Sequence, residues 1–172
     1  MSSLSVIVAP DPRLKQSARA VGTVDPEISR LMDDMLDIMH QSNGIGLAAP
    51  QVGVLKRVIV VDISLPDEAP SPYRMADPEV IWRDQTLATG EEGCLSLPDQ
   101  YAEVTRPAAI KVRYRDERDV VQELEADGLL AKCIQHEIDH LDGVLFVDHL
   151  SSLKRNIILR KLAKAKRLEP VG

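Results

Sequence analysis

Between residues 25 and 43 the apolar positions fall three and four apart: Ile28, Leu31, Met32, Met35, Leu36 and Met39. That spacing lines one face of a helix. Asp25 suits its N-cap, Pro26 fits a first turn where a missing N–H does no harm, and Asn43-Gly44 reads as its stop. The methionines on this face are core filler. The middle of the chain changes period. Arg57 to Asp62 is a compact β-branched run. Ile110, Val112 and Tyr114 alternate with Lys111, Arg113 and Arg115, which predicts a strand with one wet face. Val120 to Leu124 follows across the polar stretch Asp116 to Asp119, so the two segments predict an antiparallel hairpin. The Pro-rich stretch from Leu65 to Pro72 reads as a loop. Helical patterning returns over about Gly128 to Leu141, with apolar residues spread around the cylinder as in a largely buried helix. A third helix fits 150–168. No repeat or linker divides the chain, so the pattern predicts a single α+β domain over 1–172.

Composition narrows the class. At 172 residues the chain can bury a real core without staples. Two cysteines cannot build a disulfide framework, so their positions are read for chemistry. A net charge of −6 argues against a protein that chiefly binds DNA or RNA. The start, Met1-Ser2-Ser3-Leu4-Ser5, lacks a positive region, and the apolar run from Val6 to Ala9 stops at Pro10. No stretch approaches the roughly 20 apolar residues of a membrane span. A soluble, cytoplasmic protein with reduced thiols is expected. The last 22 residues break the acidic trend, with Lys154, Arg155, Arg160, Lys161, Lys164, Lys166 and Arg167 against Glu169 alone. Such a run either solvates a helix face or meets an anionic partner such as RNA.

The chemistry concentrates in the second helix. His136-Glu137-Ile138-Asp139-His140 is an H-E-x-x-H sequence, a known zinc-site signature. Residues four apart on a helix lie one turn apart on nearly the same face, so two imidazoles can close on one ion. Glu137 is rotated by about 100° from His136, placed to address a water beside the ion without being a ligand. A catalytic site needs a third protein ligand and an open position. His40 and His149 lack the spacing that known downstream ligands follow. Cys133 shares the face of the two histidines, but at 1.5 Å per residue it lies roughly 10.5 Å along the axis from His140. It reads as a small hydrophobe beside the site. Cys94, in Glu91-Glu92-Gly93-Cys94-Leu95-Ser96, comes from a distant segment and can approach the helix from the other side. A third segment, Gly44-Ile45-Gly46-Leu47-Ala48-Ala49-Pro50-Gln51, formally fits the dinucleotide fingerprint G-x-G-x-x-A. That reading fails because a helix precedes the segment and Pro50 blunts any helix after it. A strand edge, where glycines let another backbone approach, fits better.

Together Gly44 to Gln51, Glu92 to Ser96, and Gln135 to His140 resemble the peptide deformylase family, whose three motifs are met in order over nearly the whole chain. The resemblance implies a mixed α+β fold with sheets around the H-E-x-x-H helix. It implies removal of the formyl group from N-formylmethionine at the start of nascent polypeptides, with formate released after attack by a metal-activated water. It supplies Cys94, His136 and His140 as metal ligands and Glu137 as general base and acid. The Gln51 side chain and the Leu95 backbone N–H would hold the developing oxyanion. Ile45, Gly46 and Gly93 would contact the substrate main chain, and Leu129 and Cys133 would line the methionine pocket. The family's usual ion is iron(II), with zinc and nickel as substitutes, and the C-terminal helix of bacterial members can contact the ribosome. Two rivals fit parts of the pattern. A thermolysin-class zinc peptidase would need a third ligand downstream of His140, and a non-catalytic metal module would need neither Glu137 nor Gln51.

Overall fold

The structure is a computed structural model describing residues 4–168; Met1 to Ser3 and Glu169, which entered the sequence argument, lie outside the described residues. In chain order the main elements are α1 (Pro26–Gln41), β1 (Gly46–Ala48), β2 (Val58–Val61), β3 (Tyr73–Arg83), β4 (Leu87–Cys94), β5 (Leu97–Pro107), β6 (Ala109–Arg115), β7 (Val121–Asp127), α2 (Gly128–Leu141) and α3 (Ser152–Arg167). Short 3-10 helices cover Pro12–Lys15, Ala49–Val52 and Phe146–His149. The predicted α1, β2, β6–β7 hairpin, α2 and α3 are all present. β3, β4 and β5 are additions that the hydrophobic pattern did not predict.

All four residues of β2 are fully buried, and its two faces serve different cores. Val58 and Val60 pack with Met32, Met35, Leu36 and Met39 of α1. Ile59 and Val61 pack with Ala131, Cys133, Ile134 and Leu141 of α2. Helix covers both sides, which explains a run with no polar alternation. The antiparallel five-stranded sheet has the order β1-β2-β3-β6-β7, with β1 at one edge.

α1 starts as predicted, with Asp25 Oδ1 accepting from the Ile28 N–H at 2.9 Å. At its end the left-handed residue is Asn43, at φ 57°, while Gly44 N–H reaches back to the Met39 carbonyl at 2.9 Å. Asn tolerates this conformation through its short polar side chain. Beyond α2, Gly143 sits at φ +73°, and a Cβ there would collide with the Lys15 main-chain carbonyl. The chain can therefore turn sharply beside the N-terminal segment, where Ala18 N–H bonds the Leu141 carbonyl at 2.8 Å.

β4 and β5 form a separate hairpin. Leu97 and Val104 of this hairpin pack with Leu145, Phe146 and Val147, and with Ile158 and Leu162 of α3. α2 also bonds the hairpin directly, through Lys132 Nζ to the Glu91 carbonyl at 2.9 Å and Gln135 Nε2 to the Pro107 carbonyl at 3.1 Å. The H-E-x-x-H helix thus lies between the large sheet and the hairpin.

Candidate active site

Cys94 is the last residue of β4, just before the two-residue turn Leu95-Ser96. Strand alternation turns Glu92 and Cys94 the same way, toward α2. On α2, His136 and His140 stand one turn apart, with ring centroids 5.1 Å apart and the planes at 69°. Cys94 Sγ lies 3.4 Å from His140 Nε2. One donor atom from each of Cys94, His136 and His140 falls within 4.8 Å of the other two. The helix supplies two donors and the hairpin supplies the third from outside, as the sequence argument expected.

The remaining histidines and cysteine are engaged elsewhere. His40 Nε2 pairs with Asp62 at 3.0 Å and His149 Nε2 with Asp139 at 2.8 Å. Cys133 is buried, with its thiol 3.6 Å from the Ile45 carbonyl oxygen.

The donor set fits one divalent cation. Glu92 Oε1 accepts from His136 Nδ1 at 2.9 Å. A carboxylate can only accept here, so Nδ1 carries a proton and Nε2 is the ring nitrogen left to face an ion. Burial alone would raise the Glu92 pKa, but hydrogen bonds from His136 and Arg106 outweigh it and hold it at about 2. Burial pushes His140 far down, helped by the charges of His136 and Arg106, so its ring is neutral and can act as a donor. Burial also opposes charge on His136, yet Glu137, Cys94 and Glu92 reverse that and favour a positive charge there. Phe146 stacks near His136 at 6.1 Å and walls the site on the apolar side. One sulfur and two imidazole nitrogens form a donor set that a divalent transition metal accepts.

Glu137 is 4% exposed, and its Oε1 has no hydrogen-bond partner among the described residues. Burial raises its pKa, Glu92 adds to this while His136 and Arg106 oppose it, and the result is about 7. Gln51 is fixed by three contacts. Its Oε1 accepts from the Ala48 N–H at 2.9 Å, so Nε2 must face the other way. Nε2 lies 3.1 Å from Ser96 Oγ and 3.4 Å from Cys94 Sγ. A cleft of about 520 Å³ opens onto this group, lined by Ile45, Gly46, Gln51, Gly93, Cys94, Leu95, His136 and Glu137 among others.

Nine of the eleven candidate residues therefore meet at or beside one cleft. Cys133, the tenth, lies just behind it, where a Cβ on Gly46 would come within 2.7 Å of its sulfur. Leu129 stands apart at the start of α2, 46% exposed, between two neighbouring grooves. The expected close approach at the glycines is real, but what approaches Gly46 is α2 side chains rather than a second backbone. Sequence reasoning gave no role to Glu92, Arg106, Asp139 or Ser96. The two-residue spacing of Glu92 and Cys94 puts both on one face of a strand, but nothing in the hydrophobic pattern marked that segment as a strand.

Known proteins resemble this chain over nearly its whole length. The family model for polypeptide deformylase matches residues 3–156. A peptide deformylase of Agrobacterium fabrum is 48% identical over 167 residues, covering 97% of this chain and 98% of its own. One of Methylocella silvestris is 51% identical over 167 residues, covering 95% and 85%. The crystal structure of the Ehrlichia chaffeensis peptide deformylase in complex with actinonin superposes with a TM-score of 0.92 at 40% identity, covering 97% of this chain and 99% of that one. A Legionella pneumophila peptide deformylase structure gives 0.89 at 41% identity, covering 98% and 100%. With a family model matching nearly its whole length and relatives near half identity, the chain belongs to the peptide deformylase family of hydrolases.

Proposed function

We propose that Cys94, His136 and His140 hold one divalent metal ion, and that around it the chain removes the formyl group from N-formylmethionine at the start of nascent polypeptides. The carrying observation is the convergence of those three donors beside the buried Glu137 carboxylate and the Gln51 amide at the head of one cleft. Iron(II) is the ion proposed for the cell, with zinc and nickel as substitutes, because the donor set suits all three. Such an ion supplies Lewis acidity, making water nucleophilic near neutral pH and polarising the formyl oxygen.

Glu137 takes the proton of the attacking water and returns it to the departing amine, leaving formate and a free N-terminus. Gln51 Nε2 and the Leu95 N–H donate to the oxygen that gains charge as the formyl carbon becomes tetrahedral. Ile45, Gly46 and Gly93 offer main-chain groups to the substrate backbone. Cys133 and Leu129 flank the methionine side chain, Cys133 from beneath Gly46 and Leu129 from the start of α2. Nascent chains as substrate put the reaction in the cytoplasm.

Formate release from formyl-Met-Ala-Ser, followed beside metal content, tests this reading. Glu137→Gln should keep the ion and lose turnover, while Cys94→Ala should lose the ion. Turnover in Glu137→Gln equal to the parent's would remove Glu137 from the role of base. Cleavage of unformylated Met-Ala-Ser at a similar rate would favour the peptidase reading.

The C-terminal helix is proposed to touch the ribosome. Ile158 and Leu162 of α3 pack on the domain, while Arg160, Lys161 and Lys164 remain exposed. Exposed cations on one helix suit ribosomal RNA phosphates, with strong salt dependence. Replacing Arg160, Lys161 and Lys164 by Gln should abolish co-sedimentation with ribosomes at low salt; unchanged co-sedimentation would exclude the contact.

A further inference from the structure

His136 and His140 are treated differently by their surroundings. His140 Nδ1 has no partner among the described residues, whereas His136 Nδ1 is the first link of a continuous polar chain. Glu92 Oε1, which receives that link, also accepts from Arg106 Nη2 at 2.9 Å, and Glu92 Oε2 accepts from Arg106 Nε at 2.7 Å. The third arm of the same guanidinium, Nη1, reaches Asp139 Oδ2 at 2.8 Å. That single oxygen accepts again, from His149 Nε2 at 2.8 Å. Four elements supply the links: β4, β5, α2 and the 3-10 helix Phe146–His149. Glu92 and Arg106 are buried, Asp139 is a quarter exposed, and the His149 side chain is 38% exposed. The chain therefore runs from the metal site to the surface.

We propose that His149 is a positioning residue for the metal site, acting on His136 through Asp139, Arg106 and Glu92. The inference rests on the ligand assignment proposed above.

Arg106 is a planar fork whose three arms are all used, so its orientation depends on both carboxylates. Glu92 alone could hold it in a range of tilts. Asp139 supplies the third point, and it sits at the solvent boundary, where a carboxylate gains by turning out to water. His149 opposes that turn by donating to the same oxygen that Arg106 uses. Its Nε2 must be the protonated nitrogen, because a carboxylate partner can only accept. With Asp139 held, Arg106 keeps Glu92 Oε1 aimed at His136 Nδ1, and that bond fixes the ring plane and the direction of Nε2. Removing His149 frees Asp139, loosens the guanidinium, and leaves the His136 ring able to tilt while His140 is untouched.

The test uses the full chain loaded with cobalt(II), whose visible spectrum reports ligand geometry. His149→Ala should weaken cobalt binding about tenfold in a chelator competition, the low end of what outer partners of metal ligands give. It should also shift the ligand-field bands and lower kcat for formyl-Met-Ala-Ser with KM unchanged. His149→Gln keeps an N–H for Asp139 and should bind cobalt within about twofold of the parent, since one neutral donor replaces another. Asp148→Asn loosens the same 3-10 helix without touching Asp139, so it reports what local loss of packing does on its own. It should leave the cobalt spectrum and affinity at the parent's values. A His149→Ala protein with the parent's cobalt affinity and spectrum, however unstable, would overturn the inference. Cobalt binding by His136→Ala equal to the parent's would instead overturn the ligand assignment, and this inference with it.

Discussion

A β-carbon on Gly46 would stand 2.6 Å from Glu137 Oε2 and 2.7 Å from Cys133 Sγ, far inside contact distance. Both neighbours belong to α2, which is held between the large sheet and the β4–β5 hairpin and cannot retreat, so the Glu137 carboxylate must move. A displacement near 1 Å at a reacting group can cost about a hundredfold in rate. Gly46→Ala should therefore lower kcat by roughly that factor while metal content stays at the parent's level, read by metal analysis beside formate release. An unchanged kcat would mean that Glu137 tolerates displacement and is not held in a reactive position. The two histidines of the proposed ligand set were legible in the sequence because helix periodicity alone puts His136 and His140 together. Glu92 was not. Its role depends on facing α2 from a strand, and nothing polar in Glu91-Glu92-Gly93 announces a strand. Gly93 is a similar case, since its missing side chain leaves room for the Tyr101 ring, whose Cε1 would lie 2.5 Å from a Cβ there.

At the scale of elements, legibility followed burial. β2 and α2 are enclosed, and their apolar runs could be read directly. α1 is covered on one side only, and its three-and-four spacing marked the covered face. β4 and β5 form a two-stranded ribbon with half of β4 exposed, so no alternation builds up along Leu87 to Cys94. β3 was hidden for another reason: Asp77 interrupts it at φ 49°, Pro78 follows, and the register with β6 shifts there. A proline inside a run argues against a strand when only sequence is in hand. The interruption is held from outside, because the Asp77 carboxylate accepts from the Val21 and Gly22 N–H groups at 2.7 and 2.8 Å. α1 offers a direct check of the packing account. Met32, Met35 and Met39 are completely buried against β1 and β2. Met35→Ala should lower the unfolding free energy by about 2–5 kcal/mol, measured by urea titration, because the cavity cannot collapse between a helix and a sheet. A loss under about 1 kcal/mol would show that the other methionines flow into the gap.

Across the whole molecule, the segment around Lys15 and helix α3 are tied to the hairpin core through Asp148. Its carboxylate accepts from Lys15 Nζ near the N-terminus, from Arg155 Nε of α3 at 2.8 Å, and from the Leu145 N–H at 2.9 Å. Leu14, Phe146, Ile158 and Leu162 share the apolar cluster beneath this clasp. Burial alone would raise the Asp148 pKa, but Lys15, Leu145 and Arg155 outweigh it and hold it below its ordinary value of 3.8. A carboxylate depressed in the folded state stabilises fully above its unfolded pKa, and that stabilisation fades as pH falls through the folded value. Asp148→Asn should therefore be less stable than the parent near neutral pH, by about 1–2 kcal/mol after allowing for screening at the half-exposed lysine and arginine. The gap should narrow progressively as pH falls below 3.8, because the parent's carboxylate then gains the proton that the amide never needed. Urea titrations of both proteins across that range measure it directly. A gap constant down to about pH 2 would place the effect of Asp148 in packing rather than charge. A gap that closes on acidification would identify the clasp as one of the charge contacts whose loss weakens the fold in acid.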